Sequence, residues 1–417
     1  MAAGSRVPSR RAAAPPGAIT PLAAPRPTRY VPGQFSRAFP LSTAHGSHPL
    51  DLPTAHRVPI KWLREHACPA IKWRVVNEIL PSHGASPEDR AALLAEVLDQ
   101  KAVVQILRKQ KPNGTWGDNI LGVHPVRWKI LDDVGTVSRY RRLVELGVPA
   151  SERAFRLTDR LFYRLLSKDD APELMFEFRK AGKASPDLAT WVRGAMREAA
   201  TTALAQAGQV EDPRVRGAAH RIASDVSQFL RSALADKPLI RRGNRTILHP
   251  AACPPTVFSV AMVALMPNLQ RERAGFVERL TAFLAKPTAK REYVVVVGKK
   301  AVKPVFQLLG DPIQADSAGH PKDLALALHW IEVLVRLGAL HTSETAQRVL
   351  ARLLKECDGQ GVWAPKSLRS LPKSPSKLAD FAFPLELEGK TPERRQADVT
   401  FRLALIAKLA GWQLEFV

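Results

Sequence analysis

Apolar residues recur at helical spacing from Val58 onward and show no such period before it. In VPIKWLREHACPAIKWRVVNEIL, the residues Trp62, Leu63, Ile71, Val75, Val76, Ile79 and Leu80 keep a helical period, and Pro69 marks the entry to a second helix. SPEDRAALLAEVLDQKAVVQILRKQ opens on Ser86-Pro87-Glu88, an N-cap with proline at the first helical position, and then carries Leu93, Leu94, Val97 and Leu98. It predicts one helix that ends in the turn KPNGTWGDN.

A helix hairpin follows. TVSRYRRLVELGVP places Leu143, Val144 and Leu146 ahead of a stop at Gly147, and SERAFRLTDRLFYRLLS supplies the partner helix. The same unit returns as LALALHWIEVLVRLGAL, which stops at Gly338, followed by SETAQRVLARLLKECDGQGVW with Ser343 as N-cap. A third copy of the first half, DVTFRLALIAKLAGW, stops at Gly411. Repetition of this kind predicts a stack of helix pairs in which each pair completes its core only against its neighbours. Between the copies, WVRGAMREAATTALAQAG, DPRVRGAAHRIASDVSQFLRSAL, TVFSVAMVALMPNL and RERAGFVERLTAFLA each read as one amphipathic helix. LIRRGNRTIL, pivoting about Gly243-Asn244, and REYVVVVGKKAVKPVF, turning at Gly298, predict two small β-hairpins with cationic turns. The fold class is therefore all-α with one or two β-hairpin insertions.

Composition adds a division of the chain. Residues 1–57 are rich in Pro, Ala, Arg and Ser, lack apolar periodicity, and are expected to be a disordered leader ahead of a folded domain at 58–417. Arg10-Arg11 is not followed by the apolar run of an export signal. An organelle transit peptide and a translation start placed too far upstream both fit the leader's composition. The net charge is +23, and residues 1–50 supply six arginines with no Lys, Asp or Glu. The remaining excess is interspersed with acids, as on solvated helix faces, so a nucleic-acid partner is admitted but not favoured. Cys68, Cys253 and Cys357 are far apart and form no disulfide framework, which points to a reducing, cytoplasmic setting. No stretch of about eighteen uncharged apolar residues occurs, so no transmembrane segment is expected.

The run QKPNGTWG, Gln110 to Gly117, resembles the Gln-Trp repeat of the squalene–hopene cyclase and protein prenyltransferase superfamily, in which a Gly-x-Trp turn joins two helices. CDGQGVW keeps Gly361 and Trp363 of a second copy. The opening WLREHACPAIKWRVVNEIL is similar to a helical cap that precedes such repeats in bacterial proteins. The resemblance implies an α/α toroid, with a helical cap at 58–110 and toroid repeats at 111–417. Independently of it, Gly114, Gly117 and Gly361 allow tight turns while Trp116 and Trp363 cover helix ends, a packing role.

The chemistry of that superfamily is not carried by its usual motifs. A class II cyclase protonates an alkene from Asp-x-Asp-Asp. The nearest acidic pairs, Asp132-Asp133 and Asp169-Asp170, lack the spaced third carboxylate and suit helix capping. No Asp-Asp-x-x-Asp magnesium motif is present. The zinc pattern of prenyltransferases, Asp-x-Cys with a later His, is replaced by Cys357-Asp358 in the wrong order. His249 and Cys253, four residues apart in ILHPAACPP, would need a distant third zinc ligand such as His220 or His329. VVVVGKK lacks the earlier glycine and the hydroxyl residue of a phosphate loop, and there is no GxGxxG or GxSxG. Aromatic residues make up only 6% of the chain, a poor supply for stabilising carbocations. The sequence thus predicts a noncatalytic toroid protein that binds a protein partner or an apolar, isoprenoid-like ligand, with no cofactor. An isoprenoid-processing enzyme using the central cavity is the alternative, with Asp132 and Asp133 as its candidate acids.

Overall fold

A computed structural model describes residues 52–81, 84–117, 119–122, 135–167, 186–288, 292–302, 304, 306–372, 374 and 378–417. Among them are fourteen α-helices: α1 Ile60–His66, α2 Pro69–Arg74, α3 Pro87–Asp99, α4 Lys101–Arg108, α5 Thr136–Glu145, α6 Arg153–Leu166, α7 Pro186–Gln206, α8 Pro213–Leu230, α9 Val257–Ala264, α10 Pro267–Glu272, α11 Ala274–Leu284, α12 Leu324–Arg336, α13 Glu344–Lys355 and α14 Pro392–Leu409. The protein is mostly α-helical with three small two-stranded sheets. Helix α2 runs on into a single π turn, Val75–Ile79.

Side-chain caps set many of the starts. Ser86, Asp212, Thr256, Asp323, Ser343 and Thr391 each accept a backbone N–H from the first turn of the following helix. Four helices stop in one way. At Gly147, Gly208, Gly338 and Gly411 the backbone turns left-handed, and the next residue's N–H reaches back to the carbonyl of Leu143, Leu204, Leu334 or Ala407 at 2.8–3.0 Å. The stop at Gly208 adds α7 to the three repeat copies marked by Gly147, Gly338 and Gly411.

The expected single helix from Ser86 to Gln110 is two. Gln100 adopts extended backbone between α3 and α4, because an unbroken helix would turn away the face that buries Val97 before Ala102, Val103 and Ile106 arrive. Pro267 likewise opens a helix of its own, α10, beyond α9.

The hairpins form as expected: β2 Leu239–Arg242 with β3 Arg245–Leu248 around Gly243-Asn244, and β4 Val295–Val297 with β5 Lys300–Val302 around Gly298-Lys299. They are joined to each other, with Leu248 N–H donating to Val294 O at 2.8 Å and Val294 N–H to Thr246 O at 3.1 Å. The third sheet was not anticipated. β1, Ala55–Val58, pairs in parallel with β6, Gln413–Phe416, so the leader boundary drawn at residue 57 falls inside a strand.

Helix packing follows chain order. Helix α5 packs on α7, α7 on α9, α9 on α12, α12 on α14, and α14 on α1, α2 and the π turn. Helix α6 packs on α7 and α8, α8 on α7, α9 and α11, and α13 on α12. No described helix is long and apolar enough to cross a membrane.

Candidate functional site

The two Gly-x-Trp turns share a geometry. The first is held by an antiparallel bridge from Gln110 to Trp116 and the second by one from Cys357 to Trp363. Trp116 N–H donates to Thr136 Oγ1 at 3.1 Å and Trp363 N–H to Thr400 Oγ1 at 3.0 Å. Both threonines stand eleven residues before a stop glycine, Gly147 and Gly411, so each turn grips the same point of a repeat helix. Both indoles are buried, their Nε1 groups donating to Ile106 O at 2.8 Å and to Glu356 Oε2 at 2.9 Å. Gly361 has φ +90°, and a Cβ there would lie 2.1 Å from Arg57 O, so the second turn closes against β1 only without a side chain. Gly114 is similar, with φ +86° and Leu157 O 2.6 Å from the missing Cβ; Gly117 has φ +69°.

Counting back from the stop glycines also locates a polar interior. Nine, six and two residues before Gly147 stand Ser138, Arg141 and Glu145. The same positions hold His329, Glu332 and Arg336 before Gly338, and Arg402 lies nine before Gly411. Spaced by three and four residues, these positions share one helix face. Gln206 is two before Gly208. Arg141, Gln206, Glu145, Arg402, Glu332 and Arg336 meet in one chain of hydrogen bonds.

Glu145 is the hub. Its Oε2 accepts from Arg74 Nη1 at 2.5 Å and Arg402 Nη2 at 2.7 Å, and its Oε1 from Gln206 Nε2 at 2.7 Å. Arg402 also reaches Glu332 Oε2 at 3.2 Å, and Glu332 Oε1 accepts from Arg336 Nη2 at 2.8 Å. Arg74 makes a two-point pair with Glu78. Arg142 donates to the carbonyls of Phe381 and Pro384. Burial alone would raise Glu145, but Arg74 and Arg402 outweigh it and hold the carboxyl well below its usual range. Glu332 is lowered against its burial by Arg336 and Arg402. The phenyl ring of Phe401 lies 5.0 Å from Arg74 Cζ and 5.7 Å from Arg402 Cζ.

The zinc candidates do not assemble. His249 Nδ1 accepts the N–H of Ala251 at 3.1 Å, and Cys253 is at the surface. His220 is engaged by Glu272 at 3.0 Å and by Arg273, while the His329 ring sits edge-on to Phe381. Among the described residues no three His, Cys, Asp or Glu side chains gather where they could hold a metal ion. Asp358 caps its own turn, accepting from Gln360 and Val362. Asp132, Asp133, Asp169 and Asp170 lie outside the described residues.

A second acid stands apart from the hub. Glu198 accepts a hydrogen bond from Thr256 Oγ1 at 2.5 Å, and burial pushes its pKa up to about 7 with Asp225 adding to the rise. A carboxyl raised in the folded state favours folding at low pH, and that advantage is lost as pH rises from its ordinary value near 4.5 through about 7. Glu198→Gln keeps an acceptor for Thr256 and stays neutral. Its urea midpoint is expected to fall less between pH 5 and pH 8 than the parent's; parallel falls would contradict the assignment.

Comparison with family models, curated proteins and solved structures returns no match to this chain.

Proposed function

We propose that residues 58–417 form an α/α toroid of the kind suggested by the Gly-x-Trp turns, and that the protein is a noncatalytic binding protein whose interior takes a polar ligand rather than an isoprenoid. The packing order of α5, α7, α9, α12 and α14, returning to α1 and α2, with α6, α8 and α13 packed on its members, supports an inner series backed by an outer one. The β1–β6 pair, which joins the two ends of the domain, supports the same arrangement. We place the protein in the cytoplasm on its three free cysteines.

One observation carries the choice of ligand. The inward positions of the repeat helices hold the Glu145–Arg402–Glu332 hub, where an isoprenoid-binding relative would present an apolar, aromatic wall. Covering those charges with a hydrocarbon would strip their remaining polar environment with nothing in return. The rings beside the hub already face guanidinium groups, as Phe401 does for Arg74 and Arg402 and Phe381 for Arg141, which removes them as carbocation partners.

Incubation with farnesyl diphosphate and magnesium tests this directly. The expected result is no turnover, and no saturable binding of farnesol by calorimetry. A stoichiometric farnesol complex, or any released diphosphate above the buffer control, would return the protein to the isoprenoid enzymes.

A further inference from the structure

Within this polar interior Arg141 is held in place without an ion-pair partner among the described residues. Arg141 is 4% exposed. Its guanidinium stacks on the ring of Phe381, with Cζ 3.6 Å from the centroid, and its Nε donates to Gln206 Oε1 at 2.6 Å. Gln206 is itself fixed by Glu145. Stacking sets the plane of the group and the Nε bond sets its rotation, so the two terminal nitrogens point in one defined direction. Among the described residues neither makes a hydrogen bond. Neither terminal nitrogen is among the donors sealed from solvent without a partner, so the fork is open to an acceptor that arrives from outside.

The surroundings suit one kind of acceptor. Phe381 also carries the His329 ring on its edge, 5.1 Å between centroids, which brings the imidazole to the same ring as Arg141. Burial, and then the charge of Arg141, push His329 down to about 4, so it is neutral at physiological pH and keeps one N–H to donate. Ser138, one turn before Arg141 on α5, donates to Asp380 Oδ1 at 3.3 Å next to Phe381. Ser138, Asp380, Gln206 and His329 are each partly exposed, so the buried guanidinium lies beneath a polar rim that is not sealed.

We propose that Arg141, Ser138 and His329 form a binding site for the carboxylate of a small organic acid, with the Arg141 terminal nitrogens gripping its two oxygens. A planar, singly charged group matches the planar fork of one guanidinium that has no ion-pair partner among the described residues. A dianionic phosphate would place a second negative charge near Asp380, Glu145 and Glu332, all of which already act on Arg141. The site rests on the polar-interior reading above and gives it a ligand class.

Acetate is the minimal probe. At constant ionic strength set with chloride, acetate is expected to raise the melting temperature of the full chain along a saturating, one-site curve that stays unchanged between pH 6 and pH 8. Ser138→Ala, which leaves the ion-pair hub intact, weakens the half-saturating concentration at least threefold. Arg141→Lys keeps the charge but loses the fork, and removes saturation altogether. No saturable response to acetate, or an unaltered response in Arg141→Lys, overturns the site while leaving the polar-interior reading in place. Inorganic phosphate saturating at lower concentration than acetate overturns the carboxylate assignment. A farnesol complex would instead sink the reading on which the site rests.

Discussion

Replacing Glu145 by alanine is expected to destabilise the domain by roughly 3–5 kcal/mol, the usual cost of breaking a buried ion pair from one side. The side chain answers Arg74, Arg402 and Gln206 together, so its loss leaves two guanidinium groups, each under a tenth exposed, short of a counterion. Urea denaturation at pH 7 measures it. As a control, Glu415→Ala removes the exposed Arg57–Glu415 pair and is expected to cost under about 1 kcal/mol. The hub also sets a pH dependence. A carboxyl lowered in the folded state supplies stability that is complete above its ordinary value and disappears as pH falls below it. The Glu145 variant should therefore lose less stability on acidification than the parent. A Glu145→Ala midpoint matching the surface control would mean that the hub contributes no net stability.

Truncating Trp363 to alanine is expected to cost a similar amount, about 3–5 kcal/mol, as for other buried aromatic truncations. The indole is 4% exposed, and its removal opens a cavity at the second Gly-x-Trp turn and deprives Glu356 of a donor. Because that turn closes against β1, the pairing of β1 with β6 should loosen with it. Differential scanning calorimetry gives the first quantity, and amide exchange of Gln413 and Val417, whose N–H groups donate to Thr54 O and Val58 O, gives the second. An unchanged melting curve would remove the structural role assigned to the turn.

Much of the architecture is legible in the sequence, for identifiable reasons. Helix starts and stops depend on local chemistry, and Ser86, Ser343, Gly147, Gly338 and Gly411 are all readable within one turn of chain. The two hairpins announce themselves through Gly243-Asn244 and the β-branched run before Gly298. The β1–β6 pair does not. Four residues, AHRV, in a proline-rich stretch carry no period, and their partner lies at the opposite end of the domain. The break at Gln100 depends on where neighbouring helices present their apolar faces, which no local pattern encodes, whereas the break at Pro267 is a local proline signal.

The candidate site was harder to read than the fold. A motif search looks for carboxylates, histidines and cysteines close together in sequence, and so singled out His249, Cys253 and the Asp132-Asp133 pair. The hub draws Arg74, Glu145, Glu332 and Arg402 from four helices spread over most of the domain. The signal that could have found it was present but unused. Aligning the helices on Gly147, Gly208, Gly338 and Gly411 stacks Ser138, His329 and Arg402 in one column, Arg141 and Glu332 in the next, and Glu145, Gln206 and Arg336 in the third. Polar residues at a constant distance from a repeated stop glycine share one inward face.

The most direct test of a polar, noncatalytic interior is native mass spectrometry of the protein purified from its own host, before and after organic extraction, with metal analysis of the same sample. The account predicts no bound isoprenoid and no stoichiometric zinc, with any mass released by extraction belonging to a small polar acid. A stoichiometric isoprenoid released by extraction, or one zinc ion per chain, would contradict it.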